Sequence, residues 1–508
     1  MFRRVFALVA LCLAPSQACA AWHEAKSKHF TIYADMPAAS LRTFADRLER
    51  FDAAVRAARG TPDVQPGAAT RVTLFLLPDL ESLRALYGDR ETSVAGFYIP
   101  KASGSVAFIP AIAERGKWGL SGESIFFHEY SHHLMLQEAD RPMPAWVTEG
   151  FAEFYATPRF EPNGSVLIGA PPRYRAKGLY TMWQMPLDKM VSGDYRGVRS
   201  FEWESVYSRG WLLTHLLSFD PKRRGQLTKY LDAIQAGVAP REAATQAFGD
   251  IKQLDRELDA YFKKDSFTAV IIDAATLKIP SIDVRPLTKS EAAIMPVRLK
   301  LARGGLKTFA KDYAAKAREI ARDYPNDVSV LTISAQAELE ADYPDRALDA
   351  ADRGLAIAPN SDQLILAKGK ALMARAKKSG AKDADWSTIR ALFVEANRID
   401  PENAEPLVLF HRSFIAEGKK PTVNALKGLA YAVVLAPQDT KLRMELIGQL
   451  IEEQRWDDAR RALIPLAYTP HSGKWRDAIV AVFDQVEARN GTTAKEKWKA
   501  AQRFFDDD

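Results

Sequence analysis

Prolines at regular intervals in the C-terminal half of the chain restrict its fold more than any other feature. Pro325, Pro359, Pro401, Pro437 and Pro470 are separated by 34, 42, 36 and 33 residues. Three of them follow similar stretches of small residues, and the longest interval holds an additional Lys-, Gly- and Asp-rich segment at residues 377–385. Because proline cannot continue a helix, this spacing predicts repeated helical units that each end at a proline.

The repeated units resemble the tetratricopeptide repeat, in which paired helices stack through small residues. The resemblance implies an all-α tetratricopeptide-like solenoid over residues 290–508, with a surface that binds a protein partner. The first and last units match loosely, as the terminal caps of such arrays do. An unrelated helical bundle, in which the prolines merely end helices, is the alternative interpretation.

Residues 1–20 have the composition of a secretory signal. Arg3 and Arg4 precede an apolar run at residues 5–14, and small residues at 18–20 form a signal-peptidase site, so we expect cleavage after Ala20. The alternatives are a buried helix or a membrane anchor, but the run is shorter than the roughly 20 residues that span a bilayer. No later segment is apolar and long enough to be a transmembrane span. The sequence therefore predicts export to the periplasm or the exterior of a bacterial cell.

Both cysteines, Cys12 and Cys19, lie inside this signal, so the mature chain has no thiol for a disulfide or a metal. Any metal site must therefore use histidine and carboxylate ligands. Loss of two arginines with the signal lowers the formal net charge from +6 to +4, which is weak evidence for any charged partner. Because the chain has no concentrated basic run and no recognisable motif of that kind, we expect no nucleic acid partner.

Residues 21–285 mix strand and helix signals and predict an α+β domain. The segments at 29–33 and 72–77 are rich in β-branched and aromatic residues, and apolar residues recur at helical spacing between them. Residues 96–100 and 105–109 flank a Lys-Ala-Ser-Gly turn and predict a hairpin. Residues 158–200 are rich in Pro, Gly and aromatic residues and are expected to be irregular. Helices are expected at about 41–55, 121–137, 146–155, 207–218, 223–236 and 254–262.

His128, Glu129 and His132 form the motif that carries the predicted chemistry. His128 and His132 are four residues apart, so on a helix their imidazoles project from one face and can bind one Zn²⁺. Glu129 is turned about 100° around the helix, where its carboxylate can act on water as a general base without occupying the metal. A polar face on a surface helix is the alternative. The apolar neighbours of the motif argue against a surface helix, because they indicate that the helix is buried. Buried His and Glu side chains need partners, and a metal ion provides them.

Together with the Trp-x-x-Glu-Gly-x-Ala pattern at residues 146–152, this motif resembles the gluzincins, the thermolysin-like zinc metallopeptidases, and specifically their peptidase-MA-like branch. The resemblance implies a thermolysin-like domain with a mixed sheet, two zinc-site helices and one Zn²⁺ per chain. It implies that Glu149 is the third metal ligand and that Glu153 accepts a hydrogen bond from a ligand His. A solvated acidic pair is the alternative for these two residues. Only 16 residues separate Glu149 from His132, fewer than in thermolysin, so the connection must be tight.

The resemblance also implies catalytic roles. Glu129 moves a proton from water to the leaving amine, and a Tyr or His of a later helix stabilises the oxyanion. Tyr207 is the candidate for this second role, with Arg209 and His215 as alternatives, and a purely structural Tyr207 is an equally acceptable interpretation. His133 is turned away from the ligand pair and is expected to be structural.

The sequence thus predicts an exported zinc metallopeptidase, and the missing Gly-x-Met-Glu-Asn sequence of gluzincin aminopeptidases favours an endopeptidase. The polypeptide substrate is expected to pair with an edge strand at residues 106–109, an interior strand being the alternative. The alternative function is a non-catalytic envelope scaffold, in which the repeats bind partners and zinc only braces the neighbouring domain. Glu129 argues against the scaffold, because a structural zinc site does not need it.

Overall fold

The computed structural model describes residues 22–64, 67, 69–88, 94–111, 121–136, 143–180, 184–193, 195, 198, 202–305, 307–380, 385–467 and 476–506. The predicted signal with Cys12 and Cys19 lies outside the described residues, as do Pro470 and part of the segment at 377–385. Within the described ranges, no helix combines the length and the apolar character that a membrane crossing requires.

A six-stranded mixed sheet lies in the N-terminal half of the chain. The described strands are β1 (Trp22–Lys26), β2 (Phe30–Asp35), β3 (Val72–Leu77), β4 (Phe97–Ile99), β5 (Val106–Pro110), β6 (Arg159–Phe160), β7 (Val166–Ile168), β8 (Val270–Ile272) and β9 (Asp283–Pro286). The large sheet has the order β4-β5-β3-β2-β1-β9. Strands β2, β3 and β5 are parallel, and the other neighbours are antiparallel. Strands β6, β7 and β8 form a smaller antiparallel sheet.

Helices accompany the sheets and form the C-terminal half. Those of the first half are α1 (Ala38–Arg59), α2 (Leu80–Tyr87), α3 (Gly122–Leu136), α4 (Ala145–Tyr155), α5 (Ala176–Tyr180), α6 (Leu187–Val191), α7 (Trp203–Phe219), α8 (Gln226–Gln235), α9 (Pro240–Phe248) and α10 (Ile251–Phe262). The second half contains α11 (Lys289–Arg303), α12 (Ala310–Asp323), α13 (Val328–Glu340), α14 (Pro344–Ile357), α15 (Asp362–Lys378), α16 (Trp386–Ile399), α17 (Ala404–Ala416), α18 (Val423–Leu435), α19 (Thr440–Glu452), α20 (Trp456–Ala467), α21 (Arg476–Glu487) and α22 (Gly491–Asp506). Among the described residues no strand follows β9. The predicted mixed α/β region followed by a helical region is therefore confirmed.

The central strand β3 is covered on both faces. Successive side chains of a strand point to opposite sides of the sheet, and Leu74 accordingly joins the core that contains apolar residues of α1 and α3. Phe75 points the other way and packs in a second core with Leu83 of α2 and Met295 of α11. This two-sided burial explains why the β3 sequence is almost continuously apolar.

The prolines of the C-terminal half end helices as predicted. Pro325, Pro359, Pro401 and Pro437 each stand two residues after the last residue of α12, α14, α16 and α18. A residue that precedes proline is disfavoured in the helical conformation, which accounts for this position. Every second helix of the described region from α12 to α18 therefore ends at one of these prolines.

Two predictions for the N-terminal half are wrong in part or in whole, namely the edge strand at residues 106–109 and the irregular segment at residues 158–200. The hairpin is present, with Phe97 of β4 opposite Phe108 of β5. Residues 106–109 are nevertheless not an edge strand, because β5 lies between β4 and β3 and all of its residues are buried. Strand β4, the first arm of the hairpin, occupies the hydrogen-bonding groups that an edge strand would leave open. Residues 158–200 are also more ordered than expected, since β6, β7, α5 and α6 lie there.

Candidate metal centre

Helices α3 and α4 bring the three predicted metal ligands together. On α3, the Nε2 atoms of His128 and His132 are 3.2 Å apart. On α4, Glu149 places Oε2 3.1 Å from Nε2 of His128 and Oε1 3.4 Å from Nε2 of His132. The Glu149 side chain is fully buried, and His128 is nearly so. These three residues are therefore a group that could hold one metal ion.

The separations between the donor atoms fit a tetrahedral zinc ion. Zinc bonds to imidazole nitrogen and carboxylate oxygen are about 2.0–2.1 Å long, so two ligands of one tetrahedral ion stand about 3.3 Å apart. The separation of 3.2 Å between the two ring nitrogens is close to that value. Each nitrogen also has one oxygen of the Glu149 carboxylate at a similar distance, Oε2 at 3.1 Å from His128 and Oε1 at 3.4 Å from His132. Two imidazole nitrogens and one carboxylate fill three of four tetrahedral positions, which is the ligand number of a catalytic zinc site.

A contact between two glycines sets the position of α4 against α7. A Cβ atom on Gly150 would lie 2.4 Å from the carbonyl oxygen of Gly210 and 2.4 Å from Oγ1 of Thr214. A Cβ atom on Gly210 would lie 2.9 Å from the carbonyl oxygen of Trp146. The backbones of the two helices are thus in direct contact, which only residues without a side chain permit. Because Glu149 precedes Gly150, this contact determines where the third ligand lies.

Glu153 lies next to the ring nitrogen of His128 that faces away from Glu149. Its Oε1 atom lies 3.3 Å from Nδ1 of His128, on the opposite side of the ring from Glu149. Tyr174 donates a hydrogen bond of 2.8 Å to Oε2 of Glu153, and Arg175 donates one of 2.8 Å to Oε1. A carboxylate on the distal nitrogen selects the tautomer in which Nε2 is free to bind a metal. The predicted role of Glu153 is therefore compatible with its position.

The charges of the site favour a bound cation. Burial by itself lowers the pKa of His128, but the carboxylates of Glu153 and Glu149 outweigh burial and raise this pKa to about 10. Burial also acts to raise the pKa of Glu153, yet His128 and Arg175 hold it below its ordinary value. The two buried carboxylates thus create a negative potential that retains a proton on His128. The same potential stabilises a divalent cation, which carries twice the charge.

Glu129 and Tyr207 lie close to the ligand group. Glu129 is half-buried, and none of the described residues forms an ion pair or a hydrogen bond with its carboxylate. The Tyr207 ring centroid is 6.1 Å from that of His128, and the guanidinium of Arg175 stands 4.3 Å above the Tyr207 ring. Burial, and then the charge of Glu149, raises the pKa of Tyr207, with a smaller contribution from Glu129. The Tyr207 hydroxyl therefore keeps its proton and remains a hydrogen-bond donor.

The two alternatives to Tyr207 are engaged elsewhere. Arg209 donates to the carbonyl oxygen of Met185 and pairs with Asp255. Both ring nitrogens of His215 are occupied, by the Tyr261 hydroxyl and by the carbonyl oxygen of Thr268, each at 2.8 Å.

His133, which was expected to be structural, is buried and faces away from the metal ligands. Its Nε2 donates to the carbonyl oxygen of Thr70 at 2.9 Å, and its Nδ1 accepts from the Tyr98 hydroxyl at 2.9 Å. Burial lowers the pKa of His133 to about 4, which keeps the ring neutral.

Sequence reasoning missed two residues of the site, Tyr174 and Arg175. They lie in the segment that was predicted to be irregular, in a 3-10 turn just before α5. Arg175 links the Glu153 carboxylate with the Tyr207 ring and with Oε2 of Glu204, at 3.1 Å. No local spacing relates these residues to the ligand motif, so only the Arg-Tyr-Arg run near an aromatic-rich segment signals them.

A second group with metal-ligand chemistry lies outside this centre. His29, Asp52 and Asp63 could hold an ion together. Their carboxylates already have cationic partners, since Arg56 is 2.9 Å from Asp52 and Lys28 is 2.6 Å from Asp63. Fixed positive charges at these distances oppose a metal ion, so the group is better described as an ion-pair network.

Comparison with known proteins assigns no family to the chain. No protein-family model matches the chain, and no curated protein matches its sequence. The interpretation of the centre therefore rests on the positions of His128, His132 and Glu149 and on the groups that surround them.

Proposed function

We propose that the protein is an exported zinc metallopeptidase of the gluzincin type, with a thermolysin-like domain followed by a tetratricopeptide-like array. The convergence of His128, His132 and Glu149, with a Glu129 carboxylate beside them that has no partner among the described residues, carries the proposal. A structural zinc site usually has four protein ligands and no need for such a carboxylate. The basic and apolar segments of residues 1–20 support export.

The proposed mechanism assigns a task to each side chain. His128, His132 and Glu149 would hold the zinc ion, which would supply Lewis-acid chemistry that polarises a carbonyl group and makes water more acidic. Glu129 accepts a proton from the attacking water and delivers it to the nitrogen of the leaving amine. Glu153 keeps Nδ1 of His128 protonated, so that Nε2 remains a donor of electrons to the metal.

Tyr207 is proposed to stabilise the charge that develops on the carbonyl oxygen. Its hydroxyl stays protonated for the reasons given above, and it can donate a hydrogen bond to an oxyanion. Arg175 packs on the ring face and restrains the ring before the substrate arrives. A donor that is already oriented does not need to reorganise during the reaction.

The substrate class proposed is an extended polypeptide. Among the described strands β4 is outermost at its end of the sheet, and the Tyr98 side chain of β4 reaches His133 of the zinc helix. Because β4 packs against α3, an extended chain that adds to β4 would run alongside the helix that carries His128 and His132. In the C-terminal half, Val423 and Val434 of α18 are 71% and 69% exposed, which supports a protein partner for this region.

Replacement of Glu129 by Gln tests the proposal. We expect zinc content equal to that of the wild type and a loss of about 10²- to 10⁴-fold in the cleavage rate of unfolded proteins. Glu123→Gln is the matched control, because Glu123 lies in the first turn of the same helix and pairs with Arg47 at 2.8 Å. This control should cleave at the wild-type rate.

The outcomes separate the two candidate functions. Equal zinc in all three proteins with cleavage only by the wild type and Glu123→Gln supports the peptidase. Equal zinc with no cleavage by any of the three proteins overturns it in favour of the scaffold. Full cleavage by Glu129→Gln would show that Glu129 has no catalytic role.

A further inference from the structure

The start of α19, in the C-terminal half, is in contact with two loops of the sheet region. Gln438 is 3% exposed, and its Nε2 donates to the carbonyl oxygen of Ala69 at 2.8 Å. Asp439 Oδ2 accepts from the backbone N–H of Ala102 at 2.8 Å, while its Oδ1 caps α19 through the N–H of Leu442 at 2.9 Å. Ala69 is fully buried and belongs to the apolar core of the helices from α17 to α22. The contact between α19 and the two loops is thus largely buried, and it has polar and apolar parts.

A second close approach lies next to the first. Gly67 touches Glu402, which is two residues before α17, so closely that a Cβ atom on Gly67 would lie 2.3 Å from Cβ of Glu402. The loop around Ala69 is therefore held by the helical half at more than one point.

The same two loops hold the residue that follows metal ligand His132. Thr70, next to Ala69, accepts a hydrogen bond of 2.9 Å from Nε2 of His133. Tyr98 donates one of 2.9 Å to Nδ1 of His133, and Tyr98 belongs to the strand that leads into the turn with Ala102. The contacts form a closed ring, from α19 through one loop to His133 and back through the hairpin to α19.

The two hydrogen bonds of His133 allow its imidazole only one orientation. A backbone carbonyl only accepts, so Nε2 carries the hydrogen and Nδ1 must be the acceptor for the Tyr98 hydroxyl. The imidazole is 1% exposed and stacks on the Tyr130 ring, with centroids 5.4 Å apart. Rotation of the imidazole would break two buried hydrogen bonds, each of which is costly to leave unmade. A shift of either loop is therefore transmitted to α3.

We propose that Gln438 and Asp439 are positioning residues for the zinc site, through which the helical half sets the placement of α3 and its ligands. The identity of the metal in this inference rests on the proposed function. A partner that moves α19 would change metal binding at a site that it does not touch. The helical half then acts on the centre as well as serving as a binding surface.

The double variant Gln438→Ala/Asp439→Asn tests this inference, with Zn²⁺ and Co²⁺ as probes. Asn still caps a helix, but it offers a single oxygen, so one of the two N–H contacts of Asp439 is lost. The matched control is Asp385→Asn, because Asp385 caps α16 through the N–H groups of Ser387 and Thr388, both in the same helix. Zinc affinity, the visible spectrum of the cobalt-loaded protein and hydrogen exchange of residues 69–77 and of α3 are measured.

The expected result is zinc binding about 2- to 30-fold weaker in the double variant, a changed cobalt spectrum and faster exchange in α3. The control should match the wild type in all three. Wild-type affinity, spectrum and exchange in a folded double variant would overturn the inference. If the double variant does not fold, Asp439→Asn alone carries the same test with the same expected signs.

Metal binding needs no turnover, so the two proposals can fail separately. A wild-type protein that binds zinc and cleaves nothing removes the peptidase function and leaves this coupling intact. An active protein whose Gln438 and Asp439 variants keep full metal affinity removes the coupling and leaves the peptidase function intact.

Discussion

The contact between α4 and α7 predicts the effect of replacing Gly150 by Ala. The added methyl carbon would lie 2.4 Å from the backbone oxygen of Gly210, whereas carbon contacts are normally about 3.5 Å or longer. Neither backbone can turn aside as a flexible side chain would, so the helices must separate by about 1 Å. Because Glu149 is adjacent, its carboxylate moves away from the two imidazoles.

The magnitude follows from two opposed effects. Alanine is favoured over glycine inside a helix by about 1 kcal/mol. Overpacking costs about 1–3 kcal/mol and occasionally more, and a clash between two backbones belongs at the upper end. We therefore expect Gly150→Ala to lower the free energy of unfolding by about 2 kcal/mol and zinc affinity by at least about tenfold. Thermal unfolding in apo and zinc-loaded protein, with zinc titration against a competing chelator, measures both.

Gly428→Ala in α18 is the matched control. Among the described residues, a Cβ atom there would meet Leu407 alone, at 3.7 and 4.0 Å, which is ordinary contact. We expect it to stabilise the protein by up to about 1 kcal/mol and to leave zinc binding unchanged. If Gly150→Ala behaves like this control, the argument that backbone contact between α4 and α7 places Glu149 is refuted.

Three further predictions concern single side chains. Glu153→Gln weakens the hold on Nδ1 of His128, so zinc affinity should fall about 10- to 100-fold in a chelator competition; an unchanged affinity would exclude the assigned role. Tyr207→Phe keeps the ring under Arg175 and removes only the hydroxyl, so kcat should fall about 10²- to 10³-fold at unchanged zinc content, and wild-type turnover would show that the hydroxyl does not act on the oxyanion. Burial lowers the pKa of His215 from 6.5 to about 4, so between these values the unfolded chain binds a proton that the folded chain does not. This costs about 3 kcal/mol of stability as the pH falls from 6.5 to 4, a loss that urea unfolding should detect in the wild type and find reduced in His215→Gln.

Much of the local structure could be predicted because it depends on short-range geometry. The four-residue spacing of His128 and His132 places both rings on one face of any helix, whatever surrounds it. The turn between β4 and β5 and the helix ends before Pro359 and Pro401 follow from similarly local rules. These features were predicted correctly because each depends on only a few neighbouring residues.

Other features depend on pairs of residues that are far apart in the chain. The position of β5 inside the sheet follows from the pairing of whole strands, which the alternation of side chains does not specify. The partners of Glu153 are 21 and 22 residues away, in a turn with no regular pattern. Likewise, nothing in the sequence around Tyr207 distinguishes it from Arg209 and His215, since all three lie on one helix.

The amino-acid sequence by itself determined which side chains can bind a metal, the helix that presents two of them, and the division into a mixed half and a helical half. Only the tertiary structure decided that Glu149 meets both imidazoles and that Tyr207 faces the centre. It alone also decided that Gln438 of the helical half reaches the loop beside His133. The physical reason is that periodicity orients side chains within one element, whereas close packing, such as that of Gly150 on Gly210, sets the distances between elements.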